Sequence, residues 1–147
     1  HLANKTNARI ESELEVKTYI QDLKFALNNG AQINFQAKRR VDENREEKYT
    51  NQYTINTLFP NENPVDAIKR ELLTLSVEDY MQTVKDMRFP KRREMREFGK
   101  VYNGTDDVYI KIRVELLGIY GNTTTFVMSF HYAERAFMPE MFPYRKK

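Results

Sequence analysis

The segment Asp107-Val108-Tyr109-Ile110-Lys111-Ile112-Arg113-Val114-Glu115-Leu116 alternates apolar and polar residues along nearly its whole length. Alternation with period two marks a β-strand with one buried face. Val108, Ile110, Ile112, Val114 and Leu116 are expected to point inward, leaving Tyr109, Lys111, Arg113 and Glu115 on the open face. Thr125-Phe126-Val127-Met128-Ser129-Phe130-His131-Tyr132 repeats the pattern, with Phe126, Met128 and Phe130 inward and Ser129 and His131 outward. If both apolar sets share one face of one sheet, the opposite face gathers a phenol, two cations and an imidazole. Such a set is suited to binding, and to cleaving, a phosphodiester.

Outward from these two strands, about Glu97 to Tyr102 forms a third, and the three make a meander with turns at Asn103-Gly104 and Gly121-Asn122. The basic stretch Arg88 to Arg96 contains Pro90 and is expected to be an irregular connector. Ahead of it the spacing predicts a helix from Val77 to about Met87, capped by Ser76 with Asp79, and another from Pro64 to about Leu73. About Thr6 to Asn29 reads as a helix with Ile10, Leu14, Ile20, Leu23 and Leu27 on its apolar stripe, stopped by Gly30. Between them, Ala31 to Val41 and Lys48 to Leu58 are expected to be two polar strands. The charged run Asp42 to Glu47 joins them as a hairpin loop or a short helix. The Pro-containing tail after Ala133 is expected to pack irregularly across the fold. The fold class is therefore α+β, with N-terminal helices packed on a curved antiparallel sheet that ends in the meander. One domain over 1–147 is expected, with an inserted hairpin at about 31–58.

Register decides whether the polar face becomes a site, because a slip of one residue inverts a strand. A three-residue loop at Tyr120-Gly121-Asn122 reconciles both alternation patterns. It pairs Lys111 with His131 and Arg113 with Ser129, with Tyr109 diagonal to His131. The first hairpin admits two parities: one turns Phe98, Lys100 and Tyr102 to the core, the other turns Gly99 and Val101 there.

The 147 residues carry 24 Lys and Arg against 21 Asp and Glu, so net charge by itself argues weakly for a nucleic-acid partner. Distribution argues more strongly. Lys85, Arg88, Lys91, Arg92, Arg93, Arg96 and Lys100 cluster just before the meander, and Arg145-Lys146-Lys147 lie at the end of the sequence. There is no cysteine, which removes disulfides and thiolate metal sites and fits a cytoplasmic location. No apolar run approaches the length of a membrane span, so no membrane partner is expected.

The order Leu75-Ser76-Val77-Glu78-Asp79-Tyr80, Phe98-Gly99-Lys100-Val101-Tyr102, Val108-Tyr109-Ile110-Lys111-Ile112 and Val127-Met128-Ser129-Phe130-His131 resembles the MqsR family of mRNA interferase toxins, within the RelE-like group of small ribonucleases. Thr18-Tyr19-Ile20-Gln21-Asp22-Leu23-Lys24, followed by Asn29-Gly30, is similar to that family's first helix and its end. The resemblance covers about two-thirds of the chain in order. It implies a metal-independent endoribonuclease acting on single-stranded mRNA, paired with an antitoxin protein, with Tyr109 and His131 at the site. The family usually has lysine where His131 stands, glutamine at Gly99 and lysine near Gln82.

Metal-free RNA cleavage needs a base for the ribose 2′-OH, an acid for the leaving 5′-oxygen, and cations against the developing charge. His131 is the acid–base candidate, since imidazole titrates near neutrality. Tyr109 orients or donates a proton, and Lys111 and Arg113 bind phosphate. Lys85, Arg88, Arg92, Arg93, Arg96 and Lys100 are the RNA-binding candidates. Each has a bland counterpart: His131 as a strand-surface residue, Tyr109 as a sheet aromatic or stacking platform, Arg113 as the partner of Glu115, and the basic run as a solvated surface. No metal or cofactor is expected, because no ligand spacing, phosphate loop or nucleophile constellation occurs. The reading from a different class is a non-catalytic regulator or inhibitor of mobile-element origin that holds nucleic acid or an acidic protein.

Overall fold

A computed structural model describes residues 6–38, 45–117 and 122–146. It contains β1 (Thr6–Arg9), α1 (Glu13–Asn28), β2 (Gln32–Phe35), α2 (Asn51–Leu58), α3 (Pro64–Leu72), β3 (Tyr80–Asp86), β4 (Met95–Tyr102), β5 (Asp106–Leu117) and β6 (Asn122–Tyr132). The strands form one sheet in the order β1-β3-β4-β5-β6-β2, antiparallel except where β2 runs parallel to β6. The α+β class and the terminal meander are as expected. Val16, Ile20, Leu23 and Leu27 of α1, Ile55 of α2, and Ile68 and Leu72 of α3 pack on Tyr80, Phe98, Val108, Ile110, Ile112, Val127 and Phe130. Complete burial of each such side chain stabilises by roughly 1.5–3 kcal/mol. Among the described residues, no helix is long and apolar enough to cross a membrane.

Local chemistry explains the departures. The first helix starts at Glu13 rather than Thr6, because Ser12 and Glu15 form a capping box: Glu15 N–H donates to Ser12 Oγ (3.2 Å) and Ser12 N–H to Glu15 Oε1 (3.1 Å). Ile10 and Leu14 accordingly lie outside the buried stripe and are exposed. Ser76 and Asp79 do make the expected box, but it opens only a single 3-10 turn, Val77–Asp79. The following Tyr80–Asp86 is a strand, not a helix. Its aromatic and β-branched residues are drawn between β1 and β4, and Tyr80 Oη accepts from Glu11 N–H at 3.1 Å.

The expected hairpin at 31–58 is not formed. Its first arm is the short β2, and its second arm is a 3-10 turn followed by α2 (residues 39–44 lie outside the description). The buried positions Asn51, Thr54 and Ile55 follow helical spacing, and two of them are polar for a reason. Asn51 Nδ2 donates to Gln36 O (2.8 Å) and Met128 O (3.0 Å), while Phe130 N–H donates to Asn51 Oδ1 (3.0 Å). Tyr132 N–H donates to Thr54 Oγ1 (2.9 Å). Helix side chains thus satisfy the backbone of β6 beyond the end of β2, where a sheet edge would otherwise stay open.

The turn at Asn103 (φ 53°) and Gly104 (φ 79°) is as expected, and left-handed backbone at both positions suits these two residues. Phe98 pairs with Ile110 and is fully buried, which settles the first hairpin in favour of the Phe98/Lys100/Tyr102 parity. The second hairpin differs from expectation. Leu117 already pairs with Asn122, and a register shift at Lys111/Ile112 makes Met128 an extra residue on β6. Val127 and Thr125 therefore turn to the core in place of Met128 and Phe126. The side chain of Leu116 and residues 118–121 lie outside the description.

Candidate active site

The bulge sits beside the polar face and reshapes it. Tyr109 pairs directly with His131, and Lys111 with Ser129, rather than Lys111 with His131. The Tyr109 and His131 rings are 5.4 Å apart at 40°. All four residues line a cavity of about 490 Å³ on the face of the sheet away from the helices. Met81, Phe137 and Met141 supply its apolar wall, and Arg45, Glu134 and Arg135 its charged rim.

The tail supplies Phe137 and Met141 to that wall, and β3 supplies Met81. Phe137 N–H donates to Asp107 Oδ2 (2.8 Å), and the Phe137 and Phe142 rings meet edge to face at 5.4 Å. They lie so close to Gly99 that a Cβ there would come within 2.7–2.9 Å of ring atoms. Only glycine leaves the space these rings occupy.

His131 is the best-placed acid–base group. Its Nδ1 lies 2.9 Å from the carbonyl oxygen of Tyr132, which only accepts, so Nδ1 carries hydrogen and Nε2 holds the lone pair of the neutral ring. Burial lowers its affinity for a proton below that of an ordinary imidazole. The Tyr132 carbonyl and Glu134 oppose that shift, and Arg45 and Lys111 add to it. Burial thus favours the neutral form of the ring. Arg45 Nε lies 3.1 Å from Glu134 Oε1, tying the 45–50 segment to the end of β6.

The other sequence candidates are dispersed. Arg113 is 9% exposed and lies outside the cavity lining, 3.1 Å from Glu115 Oε1 and stacked 4.7 Å over Phe126. Arg96 is on the helix side, where Nε and Nη2 bond Glu11 at 3.0 and 2.9 Å and the guanidinium lies 4.4 Å over Tyr19. Lys100 is 3.3 Å from Asp79 Oδ2, on the side of the buried Val108. Arg88 is held by Asp86 through two bonds of 3.0 and 2.9 Å, and Lys85 donates to the carbonyl of Arg92. Arg92 and Arg93 are exposed, with Arg92 stacked 3.9 Å over Phe89. This connector joins β4 at Met95, four residues and roughly 13 Å of strand from Gly99 beside the cavity.

Arg45 and Arg135 were not foreseen. Arg45 belongs to a charged run with no periodicity, and Arg135 follows the strand end, so neither carries a sequence signal. Among the described residues, no group of three or more His, Asp or Glu stands together as a metal-ligand set. No family model, curated protein or solved structure matches the chain. What the site can do has to be read from its own residues.

Proposed function

We propose that the chain is a toxin-like, metal-independent endoribonuclease that cleaves single-stranded mRNA in the cytoplasm and is held in check by an antitoxin protein. The observation that carries this reading is the cavity itself. It joins a neutral, tautomerically fixed imidazole to a phenol and a lysine, with two arginines at the rim. In the proposed reaction His131 Nε2 takes the ribose 2′-proton and the 2′-oxygen attacks phosphorus. The bond to the 5′-oxygen breaks, and the Tyr109 phenol protonates the leaving oxygen. Lys111, with Arg45 and Arg135, offsets charge on the pentavalent phosphorus. The products are a 2′,3′-cyclic phosphate and a 5′-hydroxyl, and proton exchange with water restores both side chains. Arg113, outside the lining, has no direct part.

A non-catalytic binder has no need to bring Tyr109 and His131 together; their sharing one concave cavity favours the enzyme. Purified RNA incubated with excess chelator should be cut and should carry cyclic phosphate ends. Activity that vanished with chelator would overturn the mechanism. His131→Ala should lower cleavage by about 10²–10⁴-fold. The base works when neutral, and burial lowers its proton affinity, so the acid limb of the rate profile should have its midpoint below the ordinary imidazole value. A midpoint above that value would remove His131 as base.

A further inference from the structure

At the end of β6 lies a second cavity, of about 360 Å³, which shares Ala133 with the first. Tyr49, Tyr53, Tyr132, Lys48, Asp106 and Asp107 line it. Tyr132 directly follows His131, so the two cavities lie on either side of one strand end. The Tyr53 and Tyr132 rings are 6.2 Å apart at 64°, and Tyr53 is 40% exposed, open to contact from outside. The two carboxylates differ. Asp107 Oδ2 is taken by the backbone N–H of Phe137, whereas among the described residues Asp106 receives only a distant 3.4 Å approach from Asn103 Nδ2.

We propose that this second cavity is a nucleobase subsite, holding a base next to the cleaved phosphate and preferring bases that carry an exocyclic amine over uracil. Tyrosine faces bind any base by stacking and so contribute affinity without selectivity. Selectivity falls to Asp106, because a carboxylate only accepts hydrogen bonds. Adenine, cytosine and guanine each present an amino group to it. Uracil presents a single N–H flanked by two carbonyl oxygens, which would face the carboxylate. The choice of a nucleobase as ligand rests on the ribonuclease reading; the preference among bases rests on the cavity alone.

Binding of 2′-fluoro RNA oligomers of A, C and U, equal in length and lacking the 2′-OH nucleophile, separates the two. The A and C oligomers should bind about ten-fold tighter than U. Asp106→Asn, which adds a donor without changing shape, should remove most of that difference. Tyr53→Ala should weaken all three by at least about five-fold and keep their order. Thermal unfolding of each variant checks the fold, and exposed Tyr53 carries the test if Asp106→Asn is unstable. Equal affinity for A, C and U, or an order unchanged by Asp106→Asn in a folded protein, would overturn the subsite. Ranked binding without cleavage of unmodified RNA would overturn the ribonuclease and leave the subsite standing. Cleavage without ranking would do the reverse, and absence of both binding and cleavage would overturn both.

Discussion

Two polar clusters lie on opposite faces of the same sheet, and they differ in what their polar atoms face. In the cluster beneath α1, Glu11 is 5% exposed and both its carboxylate oxygens are taken, by Arg96, by Thr83 Oγ1 at 2.7 Å and by Arg9. Tyr144 Oη, from the tail, donates to the Glu11 carbonyl. In the cluster around His131 the side chains face a cavity of about 490 Å³. A buried titratable group with a shifted proton affinity occurs in both, so that property by itself singles out neither as a site. Both also border open volume, for Arg96 and Tyr19 line a cavity of about 350 Å³, but the His131 cavity alone holds an imidazole, whose ordinary titration lies near neutrality.

The sharpest way to break this contrast is Arg96→Ala, which leaves the Glu11 carboxylate buried without its main partner. Urea unfolding should show a loss of about 3–5 kcal/mol, and a loss below about 1 kcal/mol would mean the cluster is not structural. Burial pushes the Glu11 carboxyl up, but Arg96, Thr83 and Arg9 outweigh it and hold it below the ordinary range. A group lowered in this way stabilises the fold above its unfolded value and stops doing so as pH falls through its folded value. The Arg96→Ala deficit should therefore shrink in acid.

Gly99→Ala should have a smaller effect, about 1–3 kcal/mol, because the added methyl must displace the Phe137 and Phe142 rings. Phe137 also walls the cavity, so KM for RNA should rise in the same variant. An unchanged Tm and KM would show that the tail does not shape the site. The smallest effect on stability belongs to Arg92→Ala with Arg93→Ala, within about 0.5 kcal/mol because both residues are exposed. For every phosphate that an arginine no longer neutralises, the salt dependence of RNA binding should flatten by about 0.7 in log–log slope. Arg88→Ala should flatten it less, since Asp86 already holds that guanidinium. Equal slopes in all variants would make the connector a solvated surface.

The meander was legible because period-two alternation reports a local fact, which face of a strand avoids water. Val108, Ile110 and Ile112 are buried as their spacing requires, and Tyr109, Lys111 and His131 share the other face. Helix α3 was legible for the same kind of reason, with Asn63 accepting from Asp66 N–H and Pro64 in the first turn. By itself, then, the sequence determined the α+β class, the three central strands, the helix after Pro64 and the placing of Tyr109, Lys111, Ser129 and His131 on one face.

Tertiary structure decided the rest, because each remaining choice depends on a partner distant in the chain. Asn51 and Thr54 look like surface polar residues until β6 presents them with unpaired backbone. Tyr80–Asp86 reads as helix until β1 and β4 flank it. The extra residue at Met128 exchanges Phe126 for Val127 in the core and sets Tyr109 opposite His131, and no local pattern reveals a bulge. Arg96 and Arg92 look alike in a basic run; only the burial of Glu11 beside one of them separates a structural cation from one left at the surface. Alternation and capping act over a few residues and are written in them, whereas charge pairing, edge protection and strand register are set by what the folded chain brings alongside.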